Sequence, residues 1–235
     1  MDHRGTVLLL DMMETFMFDG DRFSDPAALE GTYKSVGGSR LTAKDLEVVV
    51  RELTAHMGIQ ATDPVGIDCF PSIEDALRLL PSLHGCSSVE ISRLGVVVGK
   101  HEVGVVSEDV SHVLWSLREK YRLGVVSNVW AHSGVFREAL KRAGVADLFD
   151  VCVFSSDHGR VKPSQHLFGY ALDRMSATSS EAVFVGDNLR CDIGGAAAIG
   201  MRTVWINRQG RRRERGAPVP TLEIQELRQL LDVSL

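Results

Sequence analysis

Apolar positions along the chain fall into short unbroken runs separated by longer amphipathic stretches. The runs are VLLL at Val7–Leu10, LGVVS at Leu123–Ser127, VCVF at Val151–Phe154, AVFVGD at Ala182–Asp187 and TVWIN at Thr203–Asn207. Runs this short, and rich in valine, read as strands buried on both faces. The intervening stretches Ser107–Tyr121, Phe136–Ala143, Gln165–Met175 and Ile193–Ile199 carry apolar residues at helical spacing. In SEDVSHVLWSLREKY, Ser107 is placed to cap a helix, acids occupy its first turn, and Val110, Val113, Leu114 and Leu117 share one face. Strands that alternate with helices give βαβ units and a parallel sheet. The expected fold class is therefore α/β, a doubly wound parallel sheet.

One interval breaks the rhythm. Roughly 90 residues separate the first strand from the next repeating unit, counted against typical crossover lengths. Within the interval TAKDLEVVVRELTAHM and SIEDALRLLPSL read as amphipathic helices, Pro26–Ser35 as a third, and LGVVVG near Val97 as a strand or buried linker. The expected organisation is an α/β core from residues 1–23 and 101–235, with a helical insert over residues 24–100. The sequence shows no internal repeat and no low-complexity segment.

Composition narrows the class. A chain of 235 residues that is 44% hydrophobic can bury one substantial core. A net charge of −5 gives no electrostatic case for nucleic acid, whose partners carry a basic face. The basic cluster of Arg208, Arg211, Arg212, Arg213 and Arg215 is interleaved with glycine and reads as a solvated loop. Cys69, Cys86, Cys152 and Cys191 are scattered, without metal-ligand or disulfide spacing, which fits a reduced cytoplasmic protein. The apolar run near the N-terminus is too short for a signal peptide. No run approaches the roughly 20 residues needed to span a bilayer, so no membrane partner is expected.

In open parallel sheets ligands bind beyond the carboxyl ends of the strands, so the residues just after each apolar run are informative. Asp11 follows the first strand, Ser127 and Asn128 the second, Asp187 and Asn188 the fourth, with Asp192 in the same loop; Lys162 lies beyond the third, in GRVKPS. Singly, each has a bland reading as a cap or turn residue. Together, carboxylates, a hydroxyl and an ammonium at one sheet edge make a site for magnesium and phosphate: hard oxygens for the cation, Ser and Lys for the anion.

Four stretches carrying these residues resemble the motifs of the haloacid dehalogenase superfamily of hydrolases, and the resemblance covers most of the chain. DMMET at Asp11–Thr15 is similar to its first motif, VVSN at Val125–Asn128 to its second, SSDHGRVKPSQHLF to its lysine motif, and VGDNLRCDIGGAAAIGMRTVWINR to its fourth. The resemblance implies a Rossmann-like core with an inserted, mostly helical cap, and Asp11 as a nucleophile that forms an ester with the substrate. It implies that Thr15 steadies the loop, that Ser127 and Asn128 bind the substrate, and that Lys162 neutralises charge on both nucleophile and phosphate. Magnesium would be held by Asp11, the Met13 backbone carbonyl, Asp187 and Asp192. The implied partner is a small phosphorylated molecule, enclosed between cap and core.

The sequence departs from the family in one place. The family's phosphatases have a second Asp two residues after the nucleophile, as the acid that protonates the leaving alcohol; here stands Met13. General acid or base help is typically worth about 10² to 10⁴ in rate. Several explanations stay open at the level of sequence. Glu14 takes over; the leaving group needs no proton, as in a 2-haloacid dehalogenase; a cap lysine such as Lys34, Lys44 or Lys100 is recruited, as in phosphonate cleavage; or the chain binds phosphorylated ligands with little turnover. Arg51, His56 and Arg78 are the insert's candidate specificity residues.

Overall fold

In a computed structural model of the chain, residues 5–21 and 23–235 are described; residues 1–4 and 22, which fall in the expected core segment 1–23, lie outside them. Strands β1 (Val7–Leu10), β2 (Arg122–Ser127), β3 (Phe149–Phe154), β4 (Ala182–Gly186), β5 (Arg202–Ile206) and β6 (Leu222–Ile224) form one sheet in the order β3-β2-β1-β4-β5-β6. Every pairing is parallel. Successive side chains of a strand point to opposite faces. Accordingly Leu8 and Leu10 enter one core with Leu114, Leu117 and Phe136, while Val7 and Leu9 enter the other with Leu167, Phe168 and Ala171. Those partners come from helices α5 (Glu108–Lys120), α6 (Ser133–Arg142) and, after the single turn α7 (Ser155–His158), α8 (Gln165–Arg174), so the sheet is covered on both faces. The strand order reverses between β1 and β4, which is where such sheets bind ligands.

Between β1 and α5 lie helices α1 (Pro26–Ser35), α2 (Ala43–Thr62), α3 (Ile73–Arg78) and α4 (Ser88–Glu102), packed on one another. Local chemistry starts them cleanly. Thr42 and Asp45 make a capping box for α2, and Ser72 and Ser87 cap α3 and α4. The stretch near Val97, expected as a strand or linker, is the middle of α4. Its β-branched run is overridden by the Ser87 cap and by Ile91, Leu94, Val97, Val98 and His101, which recur at helical spacing and are buried.

Two further differences concern the ends of elements. The helix expected over Ile193–Ile199 is a wide π turn at Leu189–Gly194 followed by the short α9 (Gly195–Ala197). Strand β6 was not expected, because three residues are too few to show alternation. No described helix is long and apolar enough to cross a membrane. The four cysteines are free.

Candidate active site

Asp11 is the first residue after β1. Its backbone N–H donates to Val185 O at 2.8 Å, which fixes it at the sheet edge between β2 and β4. The chain then turns sharply: Met12 O accepts from the N–H groups of Thr15, Phe16 and Met17, and Glu14 sits in the left-handed region at φ 57°. A residue other than glycine in that region costs of order 1 kcal/mol or more and is retained where surrounding structure holds it. Thr15 is buried in this turn, and its hydroxyl has no hydrogen-bond partner among the described residues.

Asp11 Oδ1 is the focus of the site. It accepts from Ser127 Oγ at 3.0 Å and from Lys162 Nζ at 2.6 Å, and all three groups are buried. Lys162 Nζ also stands 2.7 Å from Asp192 Oδ1, so this one buried ammonium bridges both carboxylates. Phe184, on β4, offers its ring face 5.3 Å from the ammonium. Burial by itself would lower the Lys162 pKa; the carboxylates of Asp11 and Asp192 outweigh it and hold the side chain charged far beyond ordinary lysine.

Asp187 joins them from the end of β4, and oxygens of Asp11, Asp187 and Asp192 all lie within 4.8 Å of one another. Burial, reinforced by the charges of Asp11 and Asp192, pushes the Asp187 carboxyl up to about 7 against the attraction of Lys162. Asp192 is raised for the same reasons, burial first. Three carboxylates face one ammonium, an imbalance that a divalent cation offsets. The donor set is all oxygen, as magnesium prefers. The site residues therefore fit the ion the sequence implied.

The backbone around these groups is shaped for them. A Cβ on Gly186 would strike the Asp192 carboxylate, so only glycine lets the acid fold back against the end of β4. The Asn188 N–H donates to Asp192 Oδ2 at 2.9 Å, and its side-chain oxygen accepts from the N–H groups of Arg190 and Cys191. Trp205 Nε1 donates to Asp187 O at 2.9 Å and ties the loop to β5.

Asn128, expected to contact substrate, has its side chain paired with the backbone of Lys162. Its Oδ1 accepts from Lys162 N at 2.7 Å and its Nδ2 donates to Lys162 O at 3.2 Å, so it holds the lysine backbone. Met13 is half-buried and packs against the apolar core, its methyl close to Gly20 in the connection to the insert. Glu14 is half-buried, and its charge is one of those that raise Asp187. Lys34, Lys44 and Lys100 are all exposed, Lys34 in an ion pair with Glu30. Arg51 and Arg78 are exposed, Arg78 paired with Asp75, and His56 is half-buried.

Sequence reading missed Glu102 and Ser155. The Glu102 carboxylate accepts from Trp130 N at 2.8 Å and Ala131 N at 2.9 Å, and Ser155 Oγ accepts from Val129 N and donates to Val129 O, each at 2.8 Å. Both hold the loop that follows Ser127. An acid as the last residue of a helix runs against the helix dipole, and that misfit at Glu102 was the available signal.

The haloacid dehalogenase-like hydrolase family model matches residues 97–206, a span that includes Ser127, Lys162, Asp187 and Asp192. The matched span, a little under half of the chain, is similar to that family. Among curated proteins, the chain is 34% identical to the Pyrimidine 5'-nucleotidase YjjG of Escherichia coli (strain K12) over 51% of this chain and 53% of that protein. It is 39% identical to the Glyceraldehyde 3-phosphate phosphatase of Methanopyrus kandleri over 53% of this chain and 54% of that protein. The chain thus spans about half the length of the curated relatives it matches. A solved structure of a 2-Haloacid Dehalogenase from Pseudomonas syringae pv. Tomato DC3000 superposes with a TM-score of 0.65 at 25% identity, covering 97% of this chain and 96% of that one.

Proposed function

We propose that the chain is a haloacid dehalogenase superfamily hydrolase, a magnesium-dependent phosphatase for small phosphorylated molecules. It works by phosphoryl transfer to Asp11, with the helices α1 to α4 as the cap over the site. The observation that carries the reading is the shared Asp11 Oδ1, which accepts from both Ser127 and Lys162 beside the carboxylates of Asp187 and Asp192. The phosphatase names of its curated relatives point the same way.

Asp11 attacks phosphorus, the bond from phosphorus to the alcohol oxygen breaks, and the departing oxygen takes a proton. Water then cleaves the aspartyl phosphate, so that one ester and one water give one alcohol and one phosphate. Ser127 and Lys162 orient the phosphoryl oxygens and balance the charge that builds on them. Asn128 keeps Lys162 at that position. Asp11, Asp187, Asp192 and the Met13 carbonyl would hold the cation, which when bound offsets the repulsion between an anionic nucleophile and an anionic phosphate. Met13 cannot supply the proton, which leaves Glu14, solvent or the substrate itself as its source and favours leaving groups that depart without help. The same residue favours a second reading, halide displacement, which needs no proton at that step.

A panel of phosphate monoesters, with magnesium or with chelator, tests the proposal. Phosphate release that requires magnesium and disappears in Asp11→Asn supports it. Halide release from 2-haloacids in chelator, with no phosphate released from any ester, would replace it by the second reading.

A further inference from the structure

The arginine-rich stretch after β5, read from sequence as a solvated loop, lines a cavity of about 530 Å³ together with Asp187 and Asn188. Arg190, Arg211, Arg212 and Arg215 all contribute to its wall, in a protein whose net charge is −5. The carboxylates that line it are Asp187 and Glu214. Among the described residues, Arg211, Arg212 and Arg215 form no ion pair, with Glu214 or with any other acid. Arg190 donates to Ala61 O at the end of α2, which brings the insert to the same place.

The loop is anchored at its base. Asn207 is buried at the end of β5; its Oδ1 accepts from Arg211 N at 2.9 Å, and its Nδ2 donates to Arg211 O at 2.9 Å and to Glu223 Oε1 at 2.6 Å. On the return, Arg213 donates to Pro218 O at 3.4 Å. Like charges kept together without partners repel, and an anion with several oxygens relieves that repulsion while accepting several guanidinium N–H bonds. The phosphoryl group to be transferred is met elsewhere: Asp11, Ser127 and Lys162 do not line this cavity, and Asp187 is the residue the two regions share.

We infer that the loop is a second anion subsite. The preferred substrate is a phosphate monoester that bears a further carboxylate or phosphate, held by Arg211, Arg212 and Arg215 while the first phosphate lies at Asp11. This inference rests on the phosphatase reading for the identity of the first group, and the test separates the two.

Binding is measured by calorimetry with magnesium at about 0.15 M salt, where long-range attraction is largely screened, in an Asp11→Asn background that blocks turnover. The probes are matched pairs that differ by one anionic group: fructose 6-phosphate with fructose 1,6-bisphosphate, and glycerol phosphate with 3-phosphoglycerate. The expected result is about tenfold tighter binding of the doubly anionic member of at least one pair, worth ~1.4 kcal/mol. Arg211→Gln, Arg212→Gln and Arg215→Gln combined remove that preference and leave the singly anionic member unaffected. Absence of any preference, its survival in the triple variant, or equal displacement by heparin would overturn the subsite. Phosphate release by the unmodified enzyme is scored separately. Release without an arginine-dependent preference removes the subsite and keeps the phosphatase; the preference without release does the reverse.

Discussion

Met13 stands two residues beyond the proposed nucleophile, half-buried against the core, where a thioether can neither give nor take a proton. Met13→Asp is expected to raise kcat on alkyl phosphates by about 10² to 10⁴, with little gain on aryl phosphates whose leaving groups need no acid; steady-state kinetics on both classes checks it, and equal gains would mean that proton transfer is not what the chain lacks. A second expectation concerns Asp187. Its carboxyl is raised from 3.8 to about 7 by burial and by the charges of Asp11 and Asp192. Between those values the folded state binds a proton that the unfolded state has released, so this group's contribution to stability falls as pH rises through the window. The cation-free protein should accordingly lose melting temperature on that account toward pH 7. In cation-free buffer at pH 8, Asp187→Asn should melt higher than the parent and gain nothing from added magnesium, whereas the parent gains; scanning fluorimetry with and without chelator reads both.

Elements carry these side chains to one point because their ends are shaped for it. Gly186, the last residue of β4, leaves room for the Asp192 carboxylate, which the π turn swings back over the strand end. Gly186→Ala should leave the sheet formed yet displace Asp192, and with it magnesium-dependent stabilisation; a normal magnesium response in that variant would count against Asp192 as a ligand. Asn128 links the loop after β2 to the loop that carries Lys162. Asn128→Ala strips partners from a buried N–H and carbonyl, a loss of about 1 to 3 kcal/mol in stability, and should lower turnover by letting the lysine drift. Chemical denaturation and kcat measured on one preparation would show the two effects together. At this scale the sequence was legible wherever a cap or a buried run stood alone: β1 to β5, the Ser107 cap of α5, and Pro26–Ser35. It was not legible in α4, where a valine-rich run looks like strand until the helical spacing is set against neighbouring helices. Nor was it legible in β6, which pairs through only three residues.

Across the whole molecule, the insert and the sheet are fastened through their connections. Phe18 and Val105 exchange backbone hydrogen bonds, the Phe23 ring stacks on Trp130, and buried His101 lies between Asp21 at 2.5 Å and Thr32 at 2.8 Å. His101→Ala removes the side chain that bridges Asp21 and Thr32 and should cost about 1 kcal/mol while exposing the connection at Asp19–Asp21 to limited proteolysis. An unchanged cleavage pattern would show that this histidine does not fasten the insert. Farther along, Val161 N donates to Ile67 O and Phe70 N to Gly159 O, so the insert presses on the lysine-bearing loop and Asp11 and Lys162 are buried. What the sequence by itself determined was the alternation of strands and helices, the helical insert, and the residues at the strand ends. Those follow from local periodicity, caps and the need of a buried strand to be apolar, all of which are written in neighbouring residues. Only the tertiary structure decided that the Asn128 side chain holds the backbone of Lys162, that Glu102 holds the loop after β2, and that the arginine loop borders Asp187. Each of these joins positions distant along the chain through hydrogen bonds or a shared cavity, and no local pattern specifies which distant groups will meet.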